Sequence, residues 1–257
     1  MISRLPAFLR VRDDSDVGYN TASATKGYKL GAITFDGLTD AKIDIQSIVP
    51  VFPEGTDLDD KDYKFTLQTF SASAGAAKQW WYLTEGSMEE CEDGTGWYLF
   101  GEYEEKAAYE FAQGEGFMFQ SQFPDGTGAG YTIAGEVCAG ETVIPVNKGY
   151  KLIGNIRPAT VSIQDLVPVF PEGTGVDDMD YKFTLQTFNA SAGAAKQWWY
   201  LTEGSMEECE DGTGWYLFGE YEEKAVYDFA PGEGFMFQSQ FSDNSGAGLK
   251  FPAIVAK

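Results

Sequence analysis

The feature that most constrains this chain is an internal repeat. Residues 49–130 return as residues 167–248, 118 positions later, with only scattered substitutions between the two copies. The same offset places the tryptophan pair at residues 80–81 on the pair at residues 198–199. A period of this length is too long for a solenoid unit and close to the size of an ordinary domain. The sequence therefore predicts two homologous domains in tandem.

Short runs rich in aromatic and β-branched residues, separated by glycine-rich or acidic turns, predict strands throughout both copies. In residues 63–70 apolar and polar side chains alternate, with Tyr63 expected on the same face as Leu67, which is typical of a half-buried strand. Residues 41–49 fit either a strand or one short helical turn, and only residues 104–111 have helical composition. The pattern predicts an all-β protein of two tandem homologous β-sandwich or small-barrel domains. The predicted divisions are an extended N-terminal arm at residues 1–16, a first β domain at residues 17–138 and a second, near-identical domain at residues 139–257.

The composition argues against several classes of function. The chain has 40 acidic and 18 basic residues, giving a net charge of −22, and such a surface repels nucleic-acid phosphates and anionic membranes. It contains no histidine, which removes the most common general base and metal ligand, so an enzyme is not expected. No apolar run approaches the roughly 20 residues that a membrane-spanning helix needs, so membrane insertion is not expected either.

The N-terminal arm alternates apolar and basic side chains before it turns acidic at residues 13–16, and it has no counterpart in the second copy. Such a segment either frays in solvent or adds as a strand to a sheet edge, its own or that of a neighbouring molecule. In the second case Leu5, Phe8, Leu9 and Arg10 are the candidate interface residues. The first ten residues are too short and too charged for a secretory signal, so in a secreted protein we expect that signal to have been removed.

The Trp-Trp-Tyr run of each copy is the strongest candidate for a binding surface. Neighbouring residues of a strand point to opposite faces, so one tryptophan of each pair is predicted to enter the core and the other to lie outside it. An outward tryptophan can contact the other domain, a second molecule or a sugar ring. The candidate interface residues are Trp80, Trp81, Tyr82, Trp198, Trp199 and Tyr200.

An acidic turn follows this strand in each copy. Carboxylates among glycines suit Ca²⁺, which prefers oxygen ligands, although the spacing does not match the twelve-residue calcium loop and a solvated turn is the alternative. The candidate ligands are Glu90, Glu92, Asp93, Glu208, Glu210 and Asp211. No cofactor other than this possible Ca²⁺ is expected.

Three cysteines, Cys91, Cys138 and Cys209, are the candidates for disulfides. Because their number is odd, at least one is a thiol or pairs with another molecule. Cys91 and Cys209 lie in the acidic turns, which disfavour a reactive thiolate, whereas Cys138 lies near the predicted domain junction.

Short glycine–aromatic motifs recur at equivalent places. They are Gly-Tyr-Lys-Leu at residues 27–30 and 149–152, Gly-Glu-Gly-Phe-Met-Phe at residues 114–119 and 232–237, and Gly-Glu-Val at residues 135–137. We expect Gly114 and Gly116 to be turn residues that lead into a strand. With these motifs the chain resembles, over about residues 17–251, a family of secreted bacterial proteins with two β-rich repeats and no assigned activity. The resemblance implies an extracellular two-domain β protein and brings no catalytic residue with it.

The sequence thus predicts a non-enzymatic structural protein that is extracellular or lies on a cell surface. Near-identical domains offer repeated surfaces, and a head-to-tail contact that does not close generates a filament or layer. The expected partners are copies of the protein itself, bound through domain–domain contacts and the arm. The alternative is a lectin-like module that binds glycans or Ca²⁺ through the Trp-Trp-Tyr strands and the acidic turns.

Overall fold

The computed structural model confirms that the protein is all-β. It describes residues 9–10, 16–24, 26–35, 42–70, 77–85, 91, 93–188, 195–203, 209 and 211–254. Strands dominate the described residues, and the helix among them is confined to short 3-10 turns. No helix in these ranges is long and apolar enough to cross a membrane. The helical composition of residues 104–111 does not produce a helix: irregular turns lead there into a short strand.

The strands fall into two matching series. The first half has β1 (Leu9–Arg10), β2 (Asp16–Ser23), β3 (Gly27–Ala32), β4 (Ile43–Asp44), β5 (Val49–Val51), β6 (Phe65–Phe70), β7 (Ala77–Leu83), β8 (Gly96–Leu99), β9 (Glu110–Phe111), β10 (Gly116–Ser121) and β11 (Gly130–Glu136). The second half has β12 (Thr142–Pro145), β13 (Gly149–Gly154), β14 (Val161–Ser162), β15 (Val167–Val169), β16 (Phe183–Phe188), β17 (Ala195–Leu201), β18 (Gly214–Leu217), β19 (Asp228–Phe229), β20 (Gly234–Ser239) and β21 (Gly248–Phe251). The 3-10 turns are Ile45–Ser47, Leu58–Asp60, Ile163–Asp165 and Val176–Asp178.

Both halves order their strands in the same way. A five-stranded antiparallel sheet has the order β3-β10-β6-β7-β8 in the first half and β13-β20-β16-β17-β18 in the second. A smaller sheet has the order β2-β11-β5, extended by β1, or β12-β21-β15. The four larger sheets form a ring that resembles a four-bladed propeller. The division into two separate sandwich or barrel domains stays a prediction.

Each half has its own apolar cluster, formed by the inward side chains of its two sheets. Phe65, Phe119 and Trp97 lie in the first cluster, together with Tyr131 of the smaller sheet. The alternation along the strands accounts for this. Phe65 and Leu67 of β6 point inward and are fully buried, whereas Gln68, the next residue of the strand, is only half-buried. The second cluster is formed by the equivalent residues.

Residues 41–49 combine the two predicted alternatives. Strand β4 ends at Asp44, whose side chain accepts a hydrogen bond from Gln46 N at 2.7 Å and thereby caps the first 3-10 turn. Strand β5 then begins at Val49. Pro50 lies in β5, an edge strand, where a missing N–H is tolerated.

The described part of the N-terminal arm lies on the edge of the protein's own sheet. Leu9 pairs with Val17 and Arg10 with Asp16, so that β1 turns back antiparallel to β2. The candidate interface residues Leu5 and Phe8 lie outside the described residues.

The two halves meet along the inner edges of their five-stranded sheets, at β3 and β13. The turn before β10 places Glu115 opposite Ile153 of β13, and the turn before β20 places Glu233 opposite Gly31 of β3. Gly31 and Ile153 occupy equivalent positions in the two copies, so the contact is reciprocal and nearly twofold symmetric.

Glycine is required at this contact because main chain meets main chain. A Cβ on Gly234 would lie 2.6 Å from Gly31 O. The glycines that the sequence predicted only as turn residues therefore also hold the halves together: a Cβ on Gly116 would approach the backbone of β13 to within 2.8 Å.

One carboxylate from each half is fixed at the same contact. Glu115 accepts hydrogen bonds from Tyr109 Oη and, at 3.0 Å, from Ala112 N. Burial lowers the pKa of Lys151 in the other half, and the negative charge of Glu115 opposes that shift. The reciprocal set consists of Glu233, Tyr227 and Lys29.

We predict that Gly234→Ala destabilises the protein by about 1–3 kcal/mol, because the added methyl group meets the backbone of β3 in the other half and the strands must separate. Gly140→Ala is the matched control, since no atom lies within 4 Å of a Cβ at that position. Urea unfolding of the two variants measures the difference. Equal midpoints would show that the halves are not held by this close approach.

Candidate functional site

The most distinctive exposed feature is a group of three aromatic rings on the outer face of each five-stranded sheet. We call it the aromatic surface. It consists of Tyr63, Trp81 and Phe100 in the first half and of Tyr181, Trp199 and Phe218 in the second. In the first half, the ring centroids of Trp81 lie 4.6 Å from Tyr63, edge to face, and 5.4 Å from Phe100. The corresponding distances in the second half are 4.6 Å and 5.5 Å, so the geometry is the same.

The structure shows which tryptophan of each pair points outward. Trp80 lies opposite Leu67 on β6, is 2% exposed and belongs to the core cluster. Trp81 lies opposite Thr66 and is only half-buried, on the outer face. Tyr82 returns to the core side, with its ring 5.3 Å from that of Trp97. Of the predicted interface residues, the core-side ones are therefore Trp80, Tyr82, Trp198 and Tyr200, and the outward ones are Trp81 and Trp199.

Tyr63 departs from the predicted alternation. It lies before β6, which begins at Phe65, and its φ of 58° is left-handed, a conformation that costs a residue with a side chain about 1–3 kcal/mol. This backbone turns the ring onto Trp81 on the outer face instead of into the core with Leu67. Tyr181 has the same conformation, with φ of 59°, so both halves retain the strained position.

The aromatic surface is partly exposed, since its tyrosine and tryptophan are half-buried in each half. Phe100 is 57% exposed and Phe218 58% exposed. The Nε1 atoms of Trp81 and Trp199 are buried and make no hydrogen bond in the structure. The residues that pair with Trp81 across the sheet, Thr66 on β6 and Tyr98 on β8, carry no charge, and Gln68 and Gln79 are the next outward residues along β6 and β7. The area around Trp81 is therefore uncharged on a chain of net charge −22.

The two aromatic surfaces lie away from the contact between the halves. In each sheet the strand at the contact is the first in spatial order, β3 or β13, and the aromatic rings are carried by the last two strands and the loops beside them. Because neighbouring strands are about 4.8 Å apart, each aromatic surface lies on the order of 15–20 Å from that contact. The molecule therefore presents the same surface at two separate ends.

A buried amide fork holds the strand beneath each aromatic surface. Gln46, on the 3-10 turn, donates from Nε2 to Trp97 O at 2.9 Å and to Ala107 O at 3.0 Å, and its Oε1 accepts from Trp97 N at 2.9 Å. Trp97 Nε1 donates to Ile48 O at 2.7 Å. Gln164 makes the same bonds in the second half. Sequence reasoning missed both glutamines, since an isolated glutamine in a turn carries no pattern.

The outer edge of β8 is closed by the chain itself. Ala107 N donates to Trp97 O at 2.8 Å, and Glu102 N donates to Leu99 O at 2.9 Å. An added strand from another molecule would have to displace this loop, so a partner is expected to contact the ring face and not the sheet edge.

A groove of about 840 Å³ lies beside this loop in the first half. Its lining includes Lys78, Trp80 and Tyr109 on one side and the exposed acidic residues of the loop on the other. Lys78 Nζ lies 5.9 Å from the centre of the Tyr109 ring.

The acidic turns show no assembled metal site in the described part of the chain. Glu90, Glu92, Glu208 and Glu210 lie outside it. Asp93 Oδ2 accepts a hydrogen bond from Lys106 N at 3.0 Å, and Asp211 Oδ2 accepts one from Lys224 N at 3.1 Å. Among the described residues there is no group of three or more acidic or cysteine side chains that could hold a metal ion. The Ca²⁺ site stays a prediction.

None of the three cysteines, all of them described residues, forms a disulfide. Cys91 lies near the buried Tyr98 of β8, and Cys209 lies near the equivalent Tyr216 of β18. Cys138 lies near the contact between the halves. The two environments differ in charge, because the first contains an aspartate and the second an arginine.

These buried tyrosines titrate far above their usual range. Burial, together with Cys91 and Asp93, raises the pKa of Tyr98 to about 12 from its usual 10.0. Tyr98 Oη donates a hydrogen bond to Gly94 O, which the ionised form could not make. Burial, Cys209 and Asp211 likewise raise the pKa of Tyr216 to about 12.

We predict that stability is lost between pH 10 and about pH 12, because an unfolded chain releases these phenol protons near 10.0 while the folded chain retains them. Below pH 10 both states hold the protons, and the contribution is fully present. Urea midpoints measured from pH 8 to pH 11.5 are expected to fall less steeply in the Tyr98→Phe/Tyr216→Phe variant. A slope that is unchanged in this variant would assign the alkaline loss to other groups.

Comparison of this chain with protein-family models, with curated proteins and with solved structures finds no match.

Proposed function

We propose that this protein is a non-enzymatic structural protein, outside the cell or on its surface, that binds copies of itself through its two aromatic surfaces. The observation that carries the proposal is the display of the same strained, exposed ring group, Tyr63–Trp81–Phe100, in both halves. In both halves a tyrosine in the left-handed conformation places its ring on an outward tryptophan. The backbone strain of this conformation destabilises the fold, and packing of the core does not require it. Rings of this kind are the usual anchors of protein interfaces.

Two equivalent surfaces at separate ends lead to open assembly. If the surface of one end binds an end of the next molecule, each molecule still has one unused end, and the contact propagates into a filament or layer. A single surface per molecule would stop at a dimer. The nearly twofold arrangement of the halves makes both ends competent for the same contact.

The charge of the chain sets the conditions for such assembly. At −22 the molecules repel one another, and only the neutral, ring-lined areas can approach closely without a like-charge penalty. Salt shortens the range of this repulsion, to about 8 Å at physiological ionic strength. Assembly should therefore increase with salt concentration. In this proposal β1 closes the edge of β2 within one molecule, so the described part of the arm is not the contact.

We predict that the double variant Phe100→Ser/Phe218→Ser weakens self-association at least tenfold, since each end loses a ring that is more than half exposed. Phe70→Ser is the matched control, because Phe70 is 44% exposed on the same sheet face but lies outside the aromatic surface. Sedimentation velocity and light scattering across concentration and salt measure the change. Wild-type protein that stays monomeric under all these conditions, with or without Ca²⁺, would refute the proposal.

A second candidate function is glycan binding by the same surface. The observation that favours it is the neighbourhood of Trp81, where a half-buried ring lies beside the neutral amides of Gln79 and Gln68, a combination that can stack on a sugar and bond its hydroxyls. Glycan-array binding by monomers, lost in Trp81→Ala/Trp199→Ala, would favour this candidate over self-association.

We also propose that each half is a β-sandwich domain in its own right. Two features support it: each half has a separate apolar cluster, and each repeats the same strand order.

We predict that residues 139–257, expressed alone, fold and form a dimer through β13 and the turn at Glu233. The reason is that the missing half contributed equivalent elements to a reciprocal contact, so a second copy can replace it. Circular dichroism and sedimentation equilibrium test the prediction, with Gly234→Ala in the fragment as the variant expected to be monomeric. An unfolded fragment would refute the independence of the halves.

A further inference from the structure

One place near the junction of the halves breaks the repeat. Around the Gly-Tyr-Lys-Leu motifs the two copies are offset by 122 residues, so Arg157 stands where the first half has Phe35. Phe35 is a fully buried core residue. Three further residues beside Arg157 also differ from their equivalents: Cys138 replaces Asp16, Thr142 replaces Asn20, and Gln113 corresponds to Pro231. Residues 16–35 and 138–157 differ at most positions outside the Gly-Tyr-Lys-Leu motif, and these four differences meet at one site.

Arg157 is a buried cation with only neutral partners. It is 1% exposed. Its guanidinium donates to Cys138 O, to Gly140 O at 2.7 Å and to Phe251 O at 3.2 Å, and its Nε atom makes no hydrogen bond. Removing a guanidinium from water without an anion costs several kcal/mol, and the described residues place no carboxylate in contact with it.

The thiol of Cys138 lies beside this cation. Its Sγ atom is 3.2 Å from Thr142 Oγ1, and the side chains of Gln113 and Arg157 also reach the sulfur. Gln113 Nε2 is buried and makes no hydrogen bond. Burial alone would raise the pKa of the Cys138 thiol, but the hydrogen bond with Thr142, the proximity of the polar side chain of Gln113 and the positive charge of Arg157 lower it below its usual value.

The positive charge, the unused donors and the thiol complement one another. A thiolate at Cys138 supplies the anion that Arg157 lacks, and the donors of Thr142 and Gln113 can stabilise an anionic oxygen bound to that sulfur. Cys138 is half-buried, so a small molecule can reach it. Arg157 is the only charged side chain among the described residues whose charge shifts the pKa of the Cys138 thiol.

We propose that Cys138 is a reactive-thiol site that small peroxides oxidise to a sulfenate, with Arg157 as the counter-ion. The thiolate sulfur attacks one oxygen of hydrogen peroxide; the S–O bond forms and the O–O bond breaks. The proton on the transferred oxygen passes to the leaving hydroxide, which departs as water. Sulfur is oxidised by two electrons, the peroxide is reduced, and the sulfenate keeps the negative charge opposite Arg157.

The protein contains its own controls for the test. Cys91 and Cys209 each lie near an aspartate and lack a neighbouring arginine of this kind in the described residues. Full-length reduced protein at pH 7 is treated with limiting iodoacetamide and, separately, with hydrogen peroxide followed by a 1,3-dione probe that traps sulfenate. Site-resolved mass spectrometry is expected to show Cys138 reacting at least tenfold faster than the other two cysteines with both reagents.

Two variants assign the effect to the site. Arg157→Phe installs the residue of the other half and should slow both reactions at Cys138 about tenfold, and Gln113→Pro, again the residue of the other half, should reduce the trapped sulfenate. Circular dichroism verifies that both variants are folded. If Arg157→Phe is misfolded, the amount of sulfenate trapped at Cys138 in Gln113→Pro tests the proposal. Equal reactivity of the three cysteines, or full Cys138 reactivity in a folded variant, would overturn the proposal.

Discussion

The architecture depends on two main-chain turns that each lie against the edge strand of the other half. At this contact the Gly-Glu-Gly turns approach β3 and β13 so closely that a single methyl group would displace them. This close approach brings a carboxylate from each turn near a lysine of the opposite half. Burial lowers the pKa of that lysine, and the negative charge of the carboxylate opposes the shift. It also closes the inner edges of both five-stranded sheets, which would otherwise offer unpaired main-chain groups to other strands. The outer ends of the sheets, with the aromatic surfaces, are thereby set at fixed positions relative to each other.

Where the two copies differ inside the core, the differences compensate in volume. The first half has Gly31 and Tyr131 where the second has Ile153 and Leu249. A Cβ on Gly31 would lie 2.3 Å from Tyr131 Oη, so the larger ring fits only because position 31 lacks a side chain. Interiors packed to crystal-like density accept such paired changes more readily than single ones.

The sequence predicted the all-β class and the strands of both copies, because alternation and repetition are local signals. It could not tell which tryptophan of each pair is outward, since a period of two gives only opposite faces; the pairing of Trp80 with Leu67 decides it. It also misplaced Tyr63, because a left-handed residue breaks the alternation without any local sign such as glycine. The amide fork of Gln46, the contact between the halves and the surroundings of Arg157 depend on residues far apart in the chain, and single-sequence patterns do not report such neighbours.

Covalent linkage of the halves has a consequence for Arg157. In a symmetric pair of identical chains, any residue near the axis is present twice, and an uncompensated buried cation would incur its desolvation cost twice over. One continuous chain removes that restriction, so phenylalanine can fill the position in one half while arginine occupies it in the other. In a single chain with two similar halves, one half can therefore carry a buried charge while the equivalent position of the other half keeps its apolar packing.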